Sequence, residues 1–350
     1  MDQVLVVDDN LANLKNIQLQ LSNSYQVLLA KSGAQALQIG VQRVPDIILL
    51  DVDMPEMDGF ETLERLKENT ILNRIPVIFL TANYDIATEV RALESGVVDF
   101  ITKPVEKSIL LNRLQLHLNF SKYQHNLEKT VKELEDNIVV SFAEMVENRD
   151  KNTGDHIQRT QRYITLLGRE LIKQGHFAGE LNETELALMT RGSLLHDIGK
   201  IGVSDTILLK PDRLDDKEFA IMKAHTTIGA GILRDMFKRT PTQHYLYYAI
   251  QIAEGHHEKY DGTGYPHGAK GNDIPLCARI MAVADVYDAL AADRVYRKAM
   301  NSKEAFNLIV QGKGTHFDPL VIEAFTEVYD EIEAAAMSPT PYDGIAENVL

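Results

Sequence analysis

DIILLDVDMPEMDG, residues 46–59, decides how the first part of the chain is read. Its apolar run, Ile47 to Leu50, has no polar alternation. Both faces of the segment are therefore buried, as in a parallel sheet covered on both sides. The run ends on an acid, Asp51, and a turn punctuated by Pro55 and Gly59 follows. Similar short runs lie on either side: VLVV (4–7), YQVLLA (25–30), PVIFL (76–80) and DFIT (99–102). Helix-length segments separate them. Strands alternating with helices predict an open parallel sheet of five strands with helices on both faces, ending near residue 118.

In such a sheet the carboxyl ends of the strands share one edge, where these folds place their sites. Asp8 and Asp9 follow the first strand, Asp51 ends the third, Thr81 follows the fourth, and Lys103 follows the fifth, before Pro104. Crowded carboxylates favour a hard divalent cation such as Mg²⁺. One of them can then act as a nucleophile toward phosphorus. An acidic pair alone could merely cap a helix; five positions at the ends of strands carry more weight. VVDDN, LLDVDMPEMDG, LTAN and ITKP resemble the response-regulator receiver family over residues 1–120. The resemblance implies a flavodoxin-like α/β fold. It assigns Asp8, Asp9 and the backbone carbonyl of residue 53 to Mg²⁺, Asp51 to phosphorylation, and Thr81 and Lys103 to the phosphoryl group. Phe100 takes the place of the family's switching aromatic. The phosphodonor implied is a sensor histidine kinase.

From 105 to 147 little breaks a helix, since no glycine or proline follows Pro104. Leu127, Val131, Leu134, Ile138, Phe142 and Met145 recur at spacings of four and three, the seam of a short coiled coil. Residues 121–147 are thus predicted to be a helical linker that joins two copies as a homodimer. Beyond about 140 the patterns are helical throughout, with one glycine-rich loop at 255–275 and a helix start at Asp318–Pro319. The tail at 338–350 is predicted to be loose.

LLHDIGKIG, residues 194–202, otherwise reads as a buried helix, yet His196, Asp197 and Lys200 sit inside it. Burying an unpaired charge is costly. Other histidines and acids offer company: His156 in TGDHIQR, His225 in MKAHTTIG, the adjacent His256 and His257, and Asp285 in AVADVYDAL. A lone histidine is usually a satisfied core residue, but this many imidazoles with carboxylates suit first-row transition metals. They suffice for two ions if Asp197 bridges. Such a pair lowers the pKa of a water, which can attack phosphorus, while nearby cations stabilise the phosphoryl oxygens. Lys200, one turn from His196, is a candidate, as are Arg294 and Arg297.

HDIGK, HHEKYDGTGYP, IPLCARIMAVADVYDAL and GKGTHFDP resemble the HD-GYP family, whose defining tripeptide is Gly264, Tyr265 and Pro266 here. The resemblance implies an all-α HD-type bundle over 148–337, iron or manganese, and hydrolysis of cyclic di-GMP to linear pGpG or on to GMP. It groups His156, His196, Asp197 and Asp285 about one ion and Asp197, His225, His256 and His257 about the other. It places Lys200, Asp288, Arg294 and Arg297 at the nucleotide phosphates. Some relatives bind a third ion through a glutamate four residues before the first histidine. That position is Asn152 here, and Glu147 and Asp150 are expected to point elsewhere. Two ions and accumulation of pGpG ahead of GMP are therefore expected. Other cyclic dinucleotides, or a metal-bound interaction module without turnover, are the competing readings.

The composition sets limits. A net charge of −15 disfavours a broad nucleic-acid face and an anionic membrane. One cysteine allows no internal disulfide. With no signal-peptide pattern and no long apolar run, a cytoplasmic protein is expected.

Overall fold

The computed structural model describes residues 1–82, 94–149, 155–291 and 300–337. Two compact units divide the chain, Met1–Glu133 and Leu134–Leu350.

In the first unit, strands β1 (Gln3–Val7), β2 (Gln26–Ala30), β3 (Ile47–Asp51), β4 (Val77–Thr81) and β5 (Asp99–Thr102) form one sheet in the order β2-β1-β3-β4-β5. Every neighbouring pair is parallel. All five residues of β3 and of β4 are buried, as unbroken apolar runs require. Successive side chains serve opposite faces. Leu5, Val7, Ile48, Leu50 and Phe79 pack on one side, with Leu63 and Leu66 of α3 (Gly59–Glu68). Val4, Val6, Ile47, Leu49 and Ile78 pack on the other, with Leu14, Ile17 and Leu21 of α1 (Leu11–Leu21). Helix α2 (Gly33–Arg43) completes the first face. The asparagine cap of α1 and the aspartate cap of α3 accept from backbone amides in the first turn.

Helix α4 (Lys107–Arg149) is continuous over 43 residues. Its start belongs to the first unit, where Leu110, Leu114 and Leu118 are buried at helical spacing. Its end belongs to the second. Val139 and Ala143 lie in a core with Ile157, Leu195 and Leu246. The segment 121–147 is therefore not wholly a linker: its last turns carry an apolar face into the second domain's core. No helix of the described residues is long and apolar enough to cross a membrane.

The second unit is helical: α5 (Asp155–Lys173), α6 (Glu183–Ser193), α7 (Asp205–Leu208), α8 (Asp216–Lys223), α9 (His225–Arg239), α10 (Tyr245–Gly255), α11 (Leu276–Ala291), α12 (Ser302–Gln311), α13 (Pro319–Glu327) and α14 (Tyr329–Met337). Its main core gathers Tyr163, Leu167 and Leu171 of α5, Ile280, Val283 and Tyr287 of α11, and Val321 and Phe325 of α13. The Asp318 side chain caps α13, with Pro319 in its first turn, as expected. The stretch 194–202 departs from its helical reading. Helix α6 stops at Ser193, and a 3₁₀ helix runs from Ile198 to Gly202. Gly199 lets this turn lie against α9, because a Cβ there would fall 1.9 Å from the carbonyl oxygen of His225. Only glycine lets the two backbones touch. That contact brings Asp197 and Lys200 beside the start of α9.

Candidate functional sites

At the carboxyl edge of the sheet, the acids predicted to meet do meet. Asp8, Asp9 and Asp51 each offer an oxygen within 4.8 Å of the others. Asp8 and Asp51 are buried and Asp9 is exposed. Lys103 Nζ donates to Asp8 Oδ2 at 2.8 Å and lies 2.7 Å from Asp51 Oδ2. Asn13 and the Asn10 amide also donate to Asp8, which fixes that carboxylate. Burial pushes the Asp51 carboxyl above its ordinary value, with Lys103 pulling the other way. Thr81 is buried at the end of β4, and its carbonyl accepts from the Lys103 amide at 2.8 Å. Phe100 is half-buried on β5 and packs against the core beside Phe79.

In the helical domain, His196, His225 and His256 share one device. Each ring's Nδ1 meets a backbone carbonyl: Ser193 at 2.9 Å, Met222 at 2.7 Å and Ile252 at 2.9 Å. A carbonyl can only accept, so Nδ1 carries the proton and Nε2 is left with its lone pair. His156 does the same with a carboxylate, Nδ1 to Asp288 Oδ2 at 2.7 Å. The Nε2 atoms then converge. His156 and His196 bring theirs to 3.5 Å, and His156 Nε2 lies 3.7 Å from Asp285 Oδ1. Asp197 sits between two groups. Its Oδ2 lies 3.3 Å from His196 Nε2; its Oδ1 lies 3.3 Å from His225 Nε2 and 3.8 Å from His256 Nε2. His225, His256 and His257 form one cluster within 4.8 Å.

These residues fit divalent metals on their own geometry. His225 Nε2, His256 Nε2 and Asp197 Oδ1 are buried and accept no hydrogen bond. Such atoms are costly to desolvate without a partner. Four imidazoles with their outer nitrogens held by acceptors are arranged as metal ligands are. Burial holds His256 well below its ordinary range and lowers His257 to about 4, so both are neutral donors at pH 7. Burial also lowers His196, but without an ion the Asp197 charge outweighs it and raises that ring to about 9, so a metal bound at its Nε2 would displace a proton. Burial would raise Asp285, yet the charges of His196 and His156 bring it to about 2.

Two residues have partners that the sequence reading did not foresee. Asp288, expected at the nucleotide phosphates, bonds to side chains of its own domain. It is buried behind His156, and both oxygens are taken by Arg159, at 2.6 and 2.9 Å, besides His156. Tyr163 OH adds a longer contact at 3.3 Å. Asp288 therefore orients a candidate ligand, with Arg159 holding it in turn. Glu147 was expected to point elsewhere; instead it is buried, with an oxygen within 4.8 Å of ligand atoms of His156 and His196. The offset between Glu147 and His156 misleads because the two lie on different helices, α4 and α5. Asn152, Asp150, Arg294, Arg297 and the tail lie outside the described residues.

Lys200 Nζ lies 2.7 Å from Asp197 Oδ2 and 3.6 Å from Glu147 Oε1, at the edge of the group. Gly264 closes the loop after His257, where a Cβ would lie 2.3 Å from the Lys259 amide nitrogen. Tyr265 then lays its ring on His257 with centroids 4.8 Å apart, and Lys223 stands 5.4 Å from the same ring.

A receiver-type acidic pocket followed by a helical domain with paired imidazole–carboxylate donors defines a class: a response regulator with a metal-dependent hydrolase output. Residues 4–115 match the response regulator receiver domain model and residues 141–321 the HD domain model. A Vibrio cholerae protein named "Probable cyclic di-GMP phosphodiesterase" is 40% identical over 337 residues, 92% of this chain and 76% of its own length. The cyclic di-GMP phosphodiesterase response regulator RpfG of Xanthomonas campestris is 35% identical, over 82% of this chain and 76% of its own. A 3'3'-cGAMP-specific phosphodiesterase 2 of Vibrio cholerae is 38% identical over 61% of this chain and 38% of its own. The chain belongs to this family of response regulators, with a receiver domain joined to an HD domain.

Proposed function

We propose that this chain hydrolyses cyclic di-GMP to linear pGpG and onward to GMP, under control of phosphorylation at Asp51. The observation that carries the reading is the convergence of three Nε2 atoms, of His196, His225 and His256, on Asp197, whose two oxygens face different histidines. His156, His196, Asp197 and Asp285 would hold one ion, and Asp197, His225, His256 and His257 a second, with iron or manganese suited to the donors. Glu147 adds a carboxylate on the His156–His196 side, a donor that the two-ion reading from Asn152 did not count. When bound, the ions supply an activated water and positive charge for the phosphoryl oxygens. The protein's own contribution is placement. Asp288 and Arg159 hold the His156 ring, and three carbonyls hold the other imidazoles. Lys200 offers a cation beside Asp197, and Arg294 and Arg297 would meet the phosphates. The 3'3'-cGAMP-specific relative supports a second substrate reading. Parallel assays on cyclic di-GMP and 3'3'-cGAMP separate the two.

In the receiver, Mg²⁺ would sit among Asp8, Asp9 and Asp51, with Lys103 and Thr81 receiving the phosphoryl group from a sensor histidine kinase. Acetyl phosphate with Mg²⁺ labels the wild type and fails to label Asp51→Asn. Equal labelling of both would reject Asp51 as the acceptor.

The chain would act as a homodimer paired through α4. Leu134 and Ile138 are 58% and 46% exposed. Burying such side chains contributes roughly 1.5–3 kcal/mol each. Leu134→Glu with Ile138→Glu halves the mass seen by light scattering. A monomeric wild type, or an unchanged mass, would remove the homodimer.

A further inference from the structure

The exposed apolar side chains of α4 follow a repeat of their own. Leu116, Leu127 and Ile138 are eleven residues apart. So are Phe120, Val131 and Phe142, and so are Tyr123, Leu134 and Met145. All are about half exposed, from 46% at Ile138 to 68% at Tyr123. An 11-residue repeat is about 3.67 residues per turn, close to the natural period of an α-helix. The three sets therefore stay on one narrow face along the whole stretch. A seven-residue repeat started from Leu116, Phe120 and Tyr123 would instead bring Thr130, Asn137, Ser141 and Glu144 to that face. The buried side chains of α4, Leu118 and Ala143 among them, occupy other positions of the repeat and pack within their own domains.

We propose that α4 pairs with α4 of a second copy of this chain, parallel and in register, along this 11-residue stripe, as a nearly straight or right-handed pair. The proposal deepens the homodimer reading and rests on it. The exposed face carries on the order of 1,000 Å² of apolar surface, against roughly 800 Å² per partner in a stable interface. Charge opposes self-association little along this stripe. A chain of net charge −15 repels its copy, but this stripe is flanked by Asn119, Thr130 and Ser141 on one side. On the other side stand Gln124 and Glu135, and Glu135 has Arg191 4.0 Å away. Parallel pairing sets each layer against its own copy. An antiparallel pair centred on the stripe would match Leu116 with Met145, Tyr123 with Ile138 and Leu127 with Leu134, but put Phe120 against Ser141, Val131 against Thr130 and Phe142 against Asn119; only parallel pairing matches all nine.

Single cysteines in the full-length protein test the phase. The native Cys277 is buried, and burial pushes its thiol up to about 12, so it does not compete for a short bis-maleimide at neutral pH. Ile138→Cys and Phe142→Cys should give covalent dimers in denaturing electrophoresis. Asn137→Cys and Ser141→Cys, one residue away and also exposed, should stay at monomer mass. All four positions are on the surface, and circular dichroism checks the fold of each variant. Cross-linking at 137 and 141 without 138 and 142 would overturn the 11-residue phase. A dimer by light scattering with no cross-link at any of the four would place the contact elsewhere and overturn the stripe alone. A monomeric wild type would overturn both the stripe and the homodimer.

Discussion

Asp197→Ala abolishes hydrolysis of cyclic di-GMP and strips the bound transition metal, while the domain stays folded. The expectation rests on where the two oxygens go. Oδ2 lies 3.3 Å from His196 Nε2, and Oδ1 lies 3.3 Å from His225 Nε2. Asp197 stands between the two histidine groups, so both lose a shared donor at once. Removing a single charge-stabilising donor from an active site costs roughly 10²–10³ in rate. Loss of a ligand common to both ions should exceed about 10³-fold on that scale. Folding survives for a separate reason. Breaking a buried pair is severe when it leaves a charge stranded. Here Lys200 keeps Glu147 Oε1 at 3.6 Å, and the histidine rings keep their Nδ1 acceptors. Metal analysis, a hydrolysis assay and a thermal melt on the same preparation check each part. Hydrolysis at the wild-type rate would sink the metal-centre reading. A wild type that binds metal but never turns over would favour the interaction-module reading instead.

The sheet was legible in the sequence because its signals are local. An unbroken apolar run ending in an acid, repeated at βα spacing, leaves few alternatives, and the strands begin and end within a residue or so of the reading. The histidines and Asp197 were legible for a similar reason, since HD and HH pairs are hard to explain as ordinary core. What escaped depends on which helix carries a residue. Glu147 was dismissed by its offset from His156, an argument valid only within one helix, and α4 ends at Arg149 before α5 begins. Asp288 was placed at the nucleotide phosphates by the family resemblance alone, with no local signal for its partners. Its partner Arg159 is 129 residues away in sequence and comes from α5, so the pairing could not be read locally. The break at 194–202 was hidden in the same way. Its Gly199 matters only because α9 packs against it, 1.9 Å from an imagined Cβ. A local signal for the end of α4 did exist: Val139, Ala143 and Val146 repeat at four and three beside the exposed stripe.

Glu147→Gln is expected to lower the metal content and to stop the reaction at pGpG. The substitution keeps volume and shape, so it tests charge rather than packing. In the wild type Glu147 is buried, lies within reach of His156 and His196, and sits 3.6 Å from Lys200 Nζ. A buried carboxylate needs compensating positive charge. Lys200 supplies part of it, with its Nζ 3.6 Å from Oε1. A divalent ion shared with the two imidazoles, whose ligand atoms lie within 4.8 Å of a Glu147 oxygen, would add to it. A neutral amide brings no charge to that ion, and its affinity should fall accordingly. The first cut would need the ions that Asp197 helps to hold, and the variant retains Asp197. The second cut must hold pGpG by an additional, more highly charged terminal phosphate, and extra positive charge on the His156–His196 side is suited to that anchor. The variant should therefore open cyclic di-GMP at close to the wild-type rate and lose GMP formation by roughly 10²-fold or more, the scale of one lost charge-stabilising contact. Elemental analysis of protein prepared without air, paired with chromatography of products over time, reads both quantities. Full metal content with unchanged GMP release would show that Glu147 holds no ion and leaves the second cut alone. Loss of the first cut as well would place Glu147 in the same step as Asp197.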